Sequence, residues 1–341
     1  MGSSFEVLPR GCHLGWAAGR IGSGVFGVAW STRTGRNRAR AVPADERYDV
    51  TLPLRERPAE LPPEEIARLQ SLCESLAREA GDLVRDRSGA VIAVADTKSS
   101  VNDVVTAVDR EVEELLRARI RAERPGDAFL GEEEGASAGT TGLTWVVDPI
   151  DGTVNFLYGI PSYAVSVAVV AGEPDPRRWT PLAGCVHAVS TGATWTAGRG
   201  QGAFRDGARL RIKDAPPLGQ ALVGTGFGYT EERRRGQAEV VAQLLPQVRD
   251  IRRLGSVAID LCLVADGRLD AHYERGLNPW DVAAGTLVVL EAGGVVQGLA
   301  GEPASKAMTV AGPAGLVAEL SAALEAAGAR ELGHPDGETG R

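Results

Sequence analysis

No two cysteines in this 341-residue chain are spaced as C-x-x-C. The four present, Cys12, Cys73, Cys185 and Cys262, are scattered, with no histidine at ligand spacing. That pattern argues against a zinc site and gives no sign of a disulfide framework. Cys73 and Cys262 lie in apolar surroundings and are predicted to be small core residues. No apolar run approaches the ~18 residues of a membrane span, and the N-terminus has no contiguous signal-peptide core. The sequence therefore reads as cytoplasmic, without a membrane partner. A basic excess is also missing: 45 Asp and Glu face 37 Lys and Arg, for a net charge of −8. This is the wrong sign for a broad nucleic-acid surface.

What is present is a large, ordinary core. Hydrophobic residues make up 43% of the chain and charged residues 24%, and the length suits two lobes. Residues 1–60 stand apart. They hold glycine clusters and seven arginines between Arg10 and Arg47, with no sustained periodicity. They read as a poorly ordered extension or a start codon placed too far upstream, a targeting arm being the sharper alternative. The expected division beyond them is an α+β lobe over 61–205, an α/β lobe over 206–328 and a flexible tail over 329–341.

Pro62-Pro63-Glu64-Glu65 predicts a helix start, and an apolar stripe from Ile66 carries that helix to about Val84. A second helix is predicted from Thr106, where Thr106 and Asp109 match a capping box. Its buried face is Val108, Val112, Leu115, Leu116 and Ile120. From Trp145 the period changes. Trp145-Val146-Val147 and Ala164 to Val170 predict strands, and residues 194–204 a hairpin, with Asp206-Gly207 as the next turn. Residues 232–248, 258–264 and 281–292 predict helices, the last closed by Gly293-Gly294 before a strand at Val295-Val296. Helices and strands mix without a strict βαβ rhythm or an internal repeat, so the expected class is a layered α/β or α+β fold.

The chemistry concentrates in Asp148-Pro-Ile-Asp151-Gly-Thr153. Two carboxylates and an intervening carbonyl follow an apolar strand, a donor set that suits a hard cation. Gly152 and Thr153 offer backbone N–H groups to a phosphate. The same residues also form ordinary turns. Gly131-Glu132-Glu133-Glu134, alone, reads as a solvated loop, and Asp281, alone, as a helix N-cap. Acids at three separate element ends beside a Gly-Thr turn favour a metal site.

These segments resemble the inositol monophosphatase family, part of the lithium-sensitive, magnesium-dependent phosphatase superfamily. The likeness spans roughly residues 62–325. It rests on Lys98-Ser-Ser, Asp103-Val-Val-Thr-Ala-Val-Asp109, Gly131-Glu-Glu133, Trp145 through Phe156, Gly255-Ser256 and Glu274 through Gly285. It implies an αβαβα sandwich, a homodimer and two to three Mg²⁺ per site. By resemblance, Glu132, Asp148 and the Ile150 carbonyl hold a first ion, and Asp148, Asp151 and Asp281 a second. Glu132 and Thr153 orient the attacking water. The Gly152 and Thr153 amides hold phosphate, with Asp151 beside them. Glu274 reads substrate hydroxyls near Ser256, and Lys98 and Asp103 lie on a mobile loop that closes on the site, Asp103 with a catalytic part. The implied reaction is hydrolysis of myo-inositol monophosphate by metal-activated water. A histidinol-phosphate phosphatase is the nearest rival, and a non-catalytic interaction protein the rival of another class.

Several residues have plainer readings. His187 and His272 are expected to be satisfied structural histidines, Arg233-Arg234-Arg235 a solvated helix face with tuning of substrate charge as the alternative, and Arg252-Arg253 structural or subunit contacts. Asn155, Phe156 and Tyr158 are expected to pack the helix after the acidic motif.

Overall fold

The computed structural model describes residues 61–88, 94–97, 104–330 and 332. Two long helices open it. Helix α1, Pro63–Arg87, starts with proline at N1 and Glu64 and Glu65 in its first turn, and ends with Arg85 and Arg87. Each charge therefore suits its end of the helix dipole. After a two-stranded ribbon, β1 (Val94–Thr97) and β2 (Val104–Thr106), comes α2, Ala107–Glu123. Its capping box is formed: the Thr106 hydroxyl accepts from the Val108 and Asp109 amides, while the Asp109 carboxylate accepts from the Thr106 amide. Val112, Leu116 and Ile120 are buried as expected, but so is Glu113 on the same helix.

The first large sheet has eight strands: β3 (Ala128–Gly131), β4 (Ala136–Ser137), β5 (Leu143–Asp151), β6 (Ala164–Ala171), β7 (Thr180–Ala188), β8 (Thr194–Gly198), β9 (Gly202–Arg205) and β10 (Ala208–Arg209). They lie in the order β10-β9-β8-β7-β6-β5-β3-β4, antiparallel except for β3 beside β5. The β8–β9 hairpin and the Asp206-Gly207 turn stand where the glycines place them. Both residues of that turn have positive φ, the geometry favoured in two-residue hairpin loops. Short α3, Thr153–Tyr158, links β5 to β6.

The second sheet has five strands, β11 (Leu222–Thr225), β12 (Asp250–Arg252), β13 (Ala271–Glu274), β14 (Val295–Gln297) and β15 (Thr309–Gly312), in the order β12-β11-β13-β15-β14. Between the sheets lie α5, Val257–Ala265, and α6, Pro279–Glu291, both apolar on most sides apart from Asp260, Asp281 and Glu291. A helix with no polar face is one buried on both sides, and these two contribute to the same core as Val146, Ala168 and Trp195 of the first sheet. Helices α1 and α2 cover the first sheet's other face through Val147, Val165 and Val167. Helices α4, Glu231–Leu244, and α7, Ala314–Ala326, cover the second sheet through Val223, Tyr273 and Val310. The result is five layers, αβαβα. Cys73, Cys185 and Cys262 are buried free thiols. No described helix is long and apolar enough to cross a membrane.

Candidate active site

Strand β5 is buried from end to end, and its last residues carry the acidic motif. Pairing with β6 is regular up to Asp148 opposite Ser166. Asp151 then stands opposite Ala164, so three steps on β5 span two on β6. One extra residue makes a β-bulge. Side chains three apart normally point to opposite faces, and the bulge reverses that, so Asp148 and Asp151 both face one cavity. Pro149, which has no N–H to give a ladder, is tolerated at such a place. The motif is thus a bulged strand end, not a free turn.

Gly152 follows with φ 96°, in the left-handed region open to glycine. A Cβ there would stand 2.9 Å from the Ser162 carbonyl and 3.1 Å from that of Gly255. The Thr153 hydroxyl lies 3.1 Å from Asp109 Oδ1 and 3.0 Å from the Ile150 carbonyl. Asp109 therefore does two jobs, closing the α2 cap with one oxygen and facing Thr153 with the other. The sequence pointed only to the first. The second arises because packing of α2 on the first sheet brings its N-terminus to the end of β5. Burial raises the Asp109 carboxyl above the usual range, against the hydrogen bonds from Thr106.

The other acids arrive from separate elements. Glu132 follows β3 on a loop held by Glu113, whose buried carboxylate accepts the Glu133 and Glu134 amides at 2.7 and 2.9 Å and pairs with Arg117 at 2.9 Å. Gly131 leaves room for that carboxylate, since a Cβ would collide with it. Asp281 is the third residue of α6 and accepts the Asn278 amide at 2.7 Å. Asn278 holds the N-cap that the isolated reading gave to Asp281. Asp151 sits at the start of α5, accepting Ser256 Oγ at 2.6 Å and the Ala258 amide at 2.7 Å. Ser256 also caps α5 through the Ile259 amide.

These groups line a cavity of about 250 Å³. Six carboxylates, Glu132, Asp148, Asp151, Asp260, Glu274 and Asp281, face it with three guanidiniums, Arg233, Arg253 and Arg275. Arg233 is therefore no solvated face residue. It leaves its helix to reach the Arg275 carbonyl, while Arg235 stays exposed and pairs with Glu231. Asn155 bridges the Ser162 and Leu254 carbonyls, and Phe156 is buried, but Tyr158 is 75% exposed and packs little. His187 is satisfied at one nitrogen only, with Nδ1 2.8 Å from Thr194 Oγ1 and Nε2 buried without a hydrogen-bond partner among the described residues. His272 departs from the expected satisfied histidine: its ring lies 3.4 Å from Asp260 and from Glu274, and neither nitrogen makes a hydrogen bond among the described residues. Lys98 and Asp103 lie outside the described residues.

The electrostatics of this cavity suit a cation. Burial, then repulsion from Glu132, Asp151 and Asp281, pushes the Asp148 carboxyl well up. Burial, then Glu132 and Asp151, does the same to Asp281. Burial lifts Asp151 to about 7, although Ser256 and Ala258 oppose it. Asp148 Oδ1 is buried without a hydrogen-bond partner. A buried oxygen with no donor, among acids that raise one another, fits a hard divalent ion. Among the described residues no three acids, histidines or thiols stand close enough together to hold a metal ion as they are.

Similarity to known proteins follows this geometry. The model of the inositol monophosphatase family matches residues 65–331. The chain is 45% identical over 285 residues to the inositol-1-monophosphatase SuhB of Mycobacterium tuberculosis strain H37Rv, covering 77% of this chain and 96% of the relative. A solved structure of Mycobacterium tuberculosis SuhB superposes with a TM-score of 0.65 at 44% identity, over 77% of this chain and 98% of that one. The Nus factor SuhB of Escherichia coli K12 is 38% identical over 234 residues, 66% of this chain and 83% of the relative.

Proposed function

Because the chain belongs to the inositol monophosphatase family, we propose that its acidic cavity hydrolyses inositol 1-phosphate to inositol and phosphate. The carrying observation is the convergence of Glu132, Asp148, Asp151 and Asp281, from three separate places in the chain, on one cavity that also holds Thr153 and Glu274. The inositol-1-monophosphatases among the relatives support the substrate.

Glu132, Asp148, Asp151, Asp281 and the Ile150 carbonyl are the groups that would hold Mg²⁺. When bound there, the metal supplies positive charge for the phosphoryl oxygens and acidifies a water for attack. The chain's own residues do the rest. Asp109 faces the Thr153 hydroxyl and fixes its direction, so that Thr153 orients the attacking water together with Glu132. The Gly152 and Thr153 amides receive phosphate oxygens at the bulge end. Ser256 acts through Asp151, aiming that carboxylate while capping α5. Glu274, on the opposite wall, accepts from the alcohol's hydroxyls. Phosphoryl transfer asks mainly for positioning and charge stabilisation, and no side chain here needs to become phosphorylated.

The name Nus factor, carried by the Escherichia coli relative, brings a second reading, an interaction role without turnover. The complete set of acids favours the hydrolase. The experiment is a panel on the purified full chain: inositol 1-phosphate, histidinol phosphate, fructose 1,6-bisphosphate and a nucleotide 3′-phosphate, with Mg²⁺ and with EDTA. Inositol 1-phosphate should have the highest kcat/KM, and EDTA should abolish it. Faster turnover of histidinol phosphate would replace the substrate. No Mg²⁺-dependent turnover of any ester would remove the hydrolase.

A further inference from the structure

Asp260, His272 and Glu274 form a line of charge running from the helical layer between the sheets to the cavity wall. His272 is fully enclosed. Its Nδ1 lies 3.4 Å from Asp260 Oδ2 and its Nε2 3.4 Å from Glu274 Oε2. His272 and Glu274 are two apart on β13 and so share a face, and Asp260 meets them from α5. The neighbouring strand is cut to fit. Gly224 of β11 pairs in register with His272, and a Cβ there would stand 2.9 Å from the imidazole Nδ1. Gly226, two residues on, stands where any Cβ would collide with the Glu274 carboxylate. Two glycines at alternate positions thus leave room for the ring and for the acid it faces.

Ionised carboxylates only accept, so an imidazole between two of them is matched in charge when both of its nitrogens carry protons, and burial raises Asp260 against this while His272 lowers it. Burial alone would push the ring's pKa down, but the two acids, each 3.4 Å from a ring nitrogen, outweigh it and lift the ring to about 9. The other charges bearing on the line are Arg253, which faces Asp260, and Asp151 and Asp281, which face Glu274 across the cavity. We propose that His272 is a positioning residue, a buried cation braced on Asp260 that holds Glu274 in place and aimed into the cavity, and so sets the preference for a polyhydroxylated alcohol phosphate. This rests on the reading that Glu274 meets the substrate's hydroxyls.

The test uses the full chain with Mg²⁺, carrying His272→Gln, Glu274→Gln or both, assayed on inositol 1-phosphate and on phenyl phosphate, which has no alcohol hydroxyls. His272→Gln should raise KM for inositol 1-phosphate on the order of tenfold, the scale of one charge-assisted contact. Its kcat should move much less, as should KM for phenyl phosphate. The double variant should be no worse on inositol 1-phosphate than Glu274→Gln alone, since both changes break one line. Equal effects of His272→Gln on the two esters, or none, would overturn the proposal. If Glu274→Gln itself leaves the preference between esters unchanged, the reading of Glu274 fails first and the proposal with it. Should His272→Gln not fold, ¹⁵N NMR of the histidines in the wild-type chain and in Glu274→Gln decides. A doubly protonated ring at pH 7.5 in the wild type, with a pKa lower by about one unit in the variant, supports the brace. A neutral ring in the wild type overturns it.

Discussion

Asp148 carries the sharpest conflict in the molecule. It is 1% exposed, one oxygen has no partner, and Glu132, Asp151 and Asp281 all raise it. Such a carboxylate costs the metal-free fold stability and is kept for what it binds. Asp148→Asn should therefore cut turnover by at least a hundredfold, because an amide is a poor partner for a hard cation. In EDTA its melting temperature should equal or exceed that of the wild type. Kinetics and a thermal melt check both halves, and turnover within tenfold of wild type would contradict the shared-ligand role. At this scale much was legible. Asp148, Asp151, Glu132 and Asp281 announce themselves as acids at element ends. Asp109 did not, because its cap is local and visible while its contact with Thr153 spans 44 residues and depends on packing. His272 read as ordinary because nothing in a linear sequence places Asp260 beside it.

Elements decide where these side chains point. The bulge at the end of β5 brings two acids to one face, and α2 supplies the anchor for a third through Glu113. Glu113→Ala would strand the Glu133 and Glu134 amides and leave Arg117 without its closest partner. The expected cost is about 2–4 kcal/mol of folding stability, measurable by urea denaturation. It should be joined by at least a tenfold fall in kcat at temperatures where the variant is folded, since Glu132 loses its fixed loop. A destabilised variant with unchanged kcat would mean that Glu113 supports the fold alone. The caps Thr230, Ser256 and Asn278 and the whole of α7 went unread; helix positions were otherwise legible within a few residues, from the start chemistry of Pro62-Pro63 and Thr106 and from apolar stretches. The bulge was not, since Asp, Pro and Gly favour turns equally well.

Across the whole molecule, the two sheets and the α5–α6 layer between them close a cavity whose charges leave a pH signature. Asp148, Asp151 and Asp281 titrate above the usual carboxylate range, Asp151 at about 7. Their folded forms hold protons that the unfolded chain has released, so stability falls as pH rises through that window. His272, lifted to about 9, acts with the same sign: its contribution is whole below the unfolded value near 6.5 and is lost as pH rises toward 9. His187 is pushed down by burial and opposes this only below that unfolded value. Asp175 and Asp250, both lowered, act only in acid. In EDTA the melting temperature should therefore fall by roughly 5 °C between pH 6.5 and 8.5. Added Mg²⁺ should stabilise more at pH 8.5 than at pH 6.5, because ligands must be deprotonated to bind. A flat or rising melting temperature in EDTA would contradict this balance of charges.

By itself the sequence determined the layered α/β class, the starts of α1 and α2, the strands β5, β6, β8 and β9 and the acids that line the cavity, because caps, periodicity and residue chemistry are local and leave their mark at short spacing. The tertiary structure alone decided which acids share a wall, that Asp109 faces Thr153, that Arg233 turns into the cavity, and that a histidine on β13 stands between two carboxylates. Those are contacts between residues distant along the chain, and no local pattern encodes them. They exist only once hydrophobic burial has stacked the five layers and drawn the ends of β5, α2, α5 and α6 to one cavity.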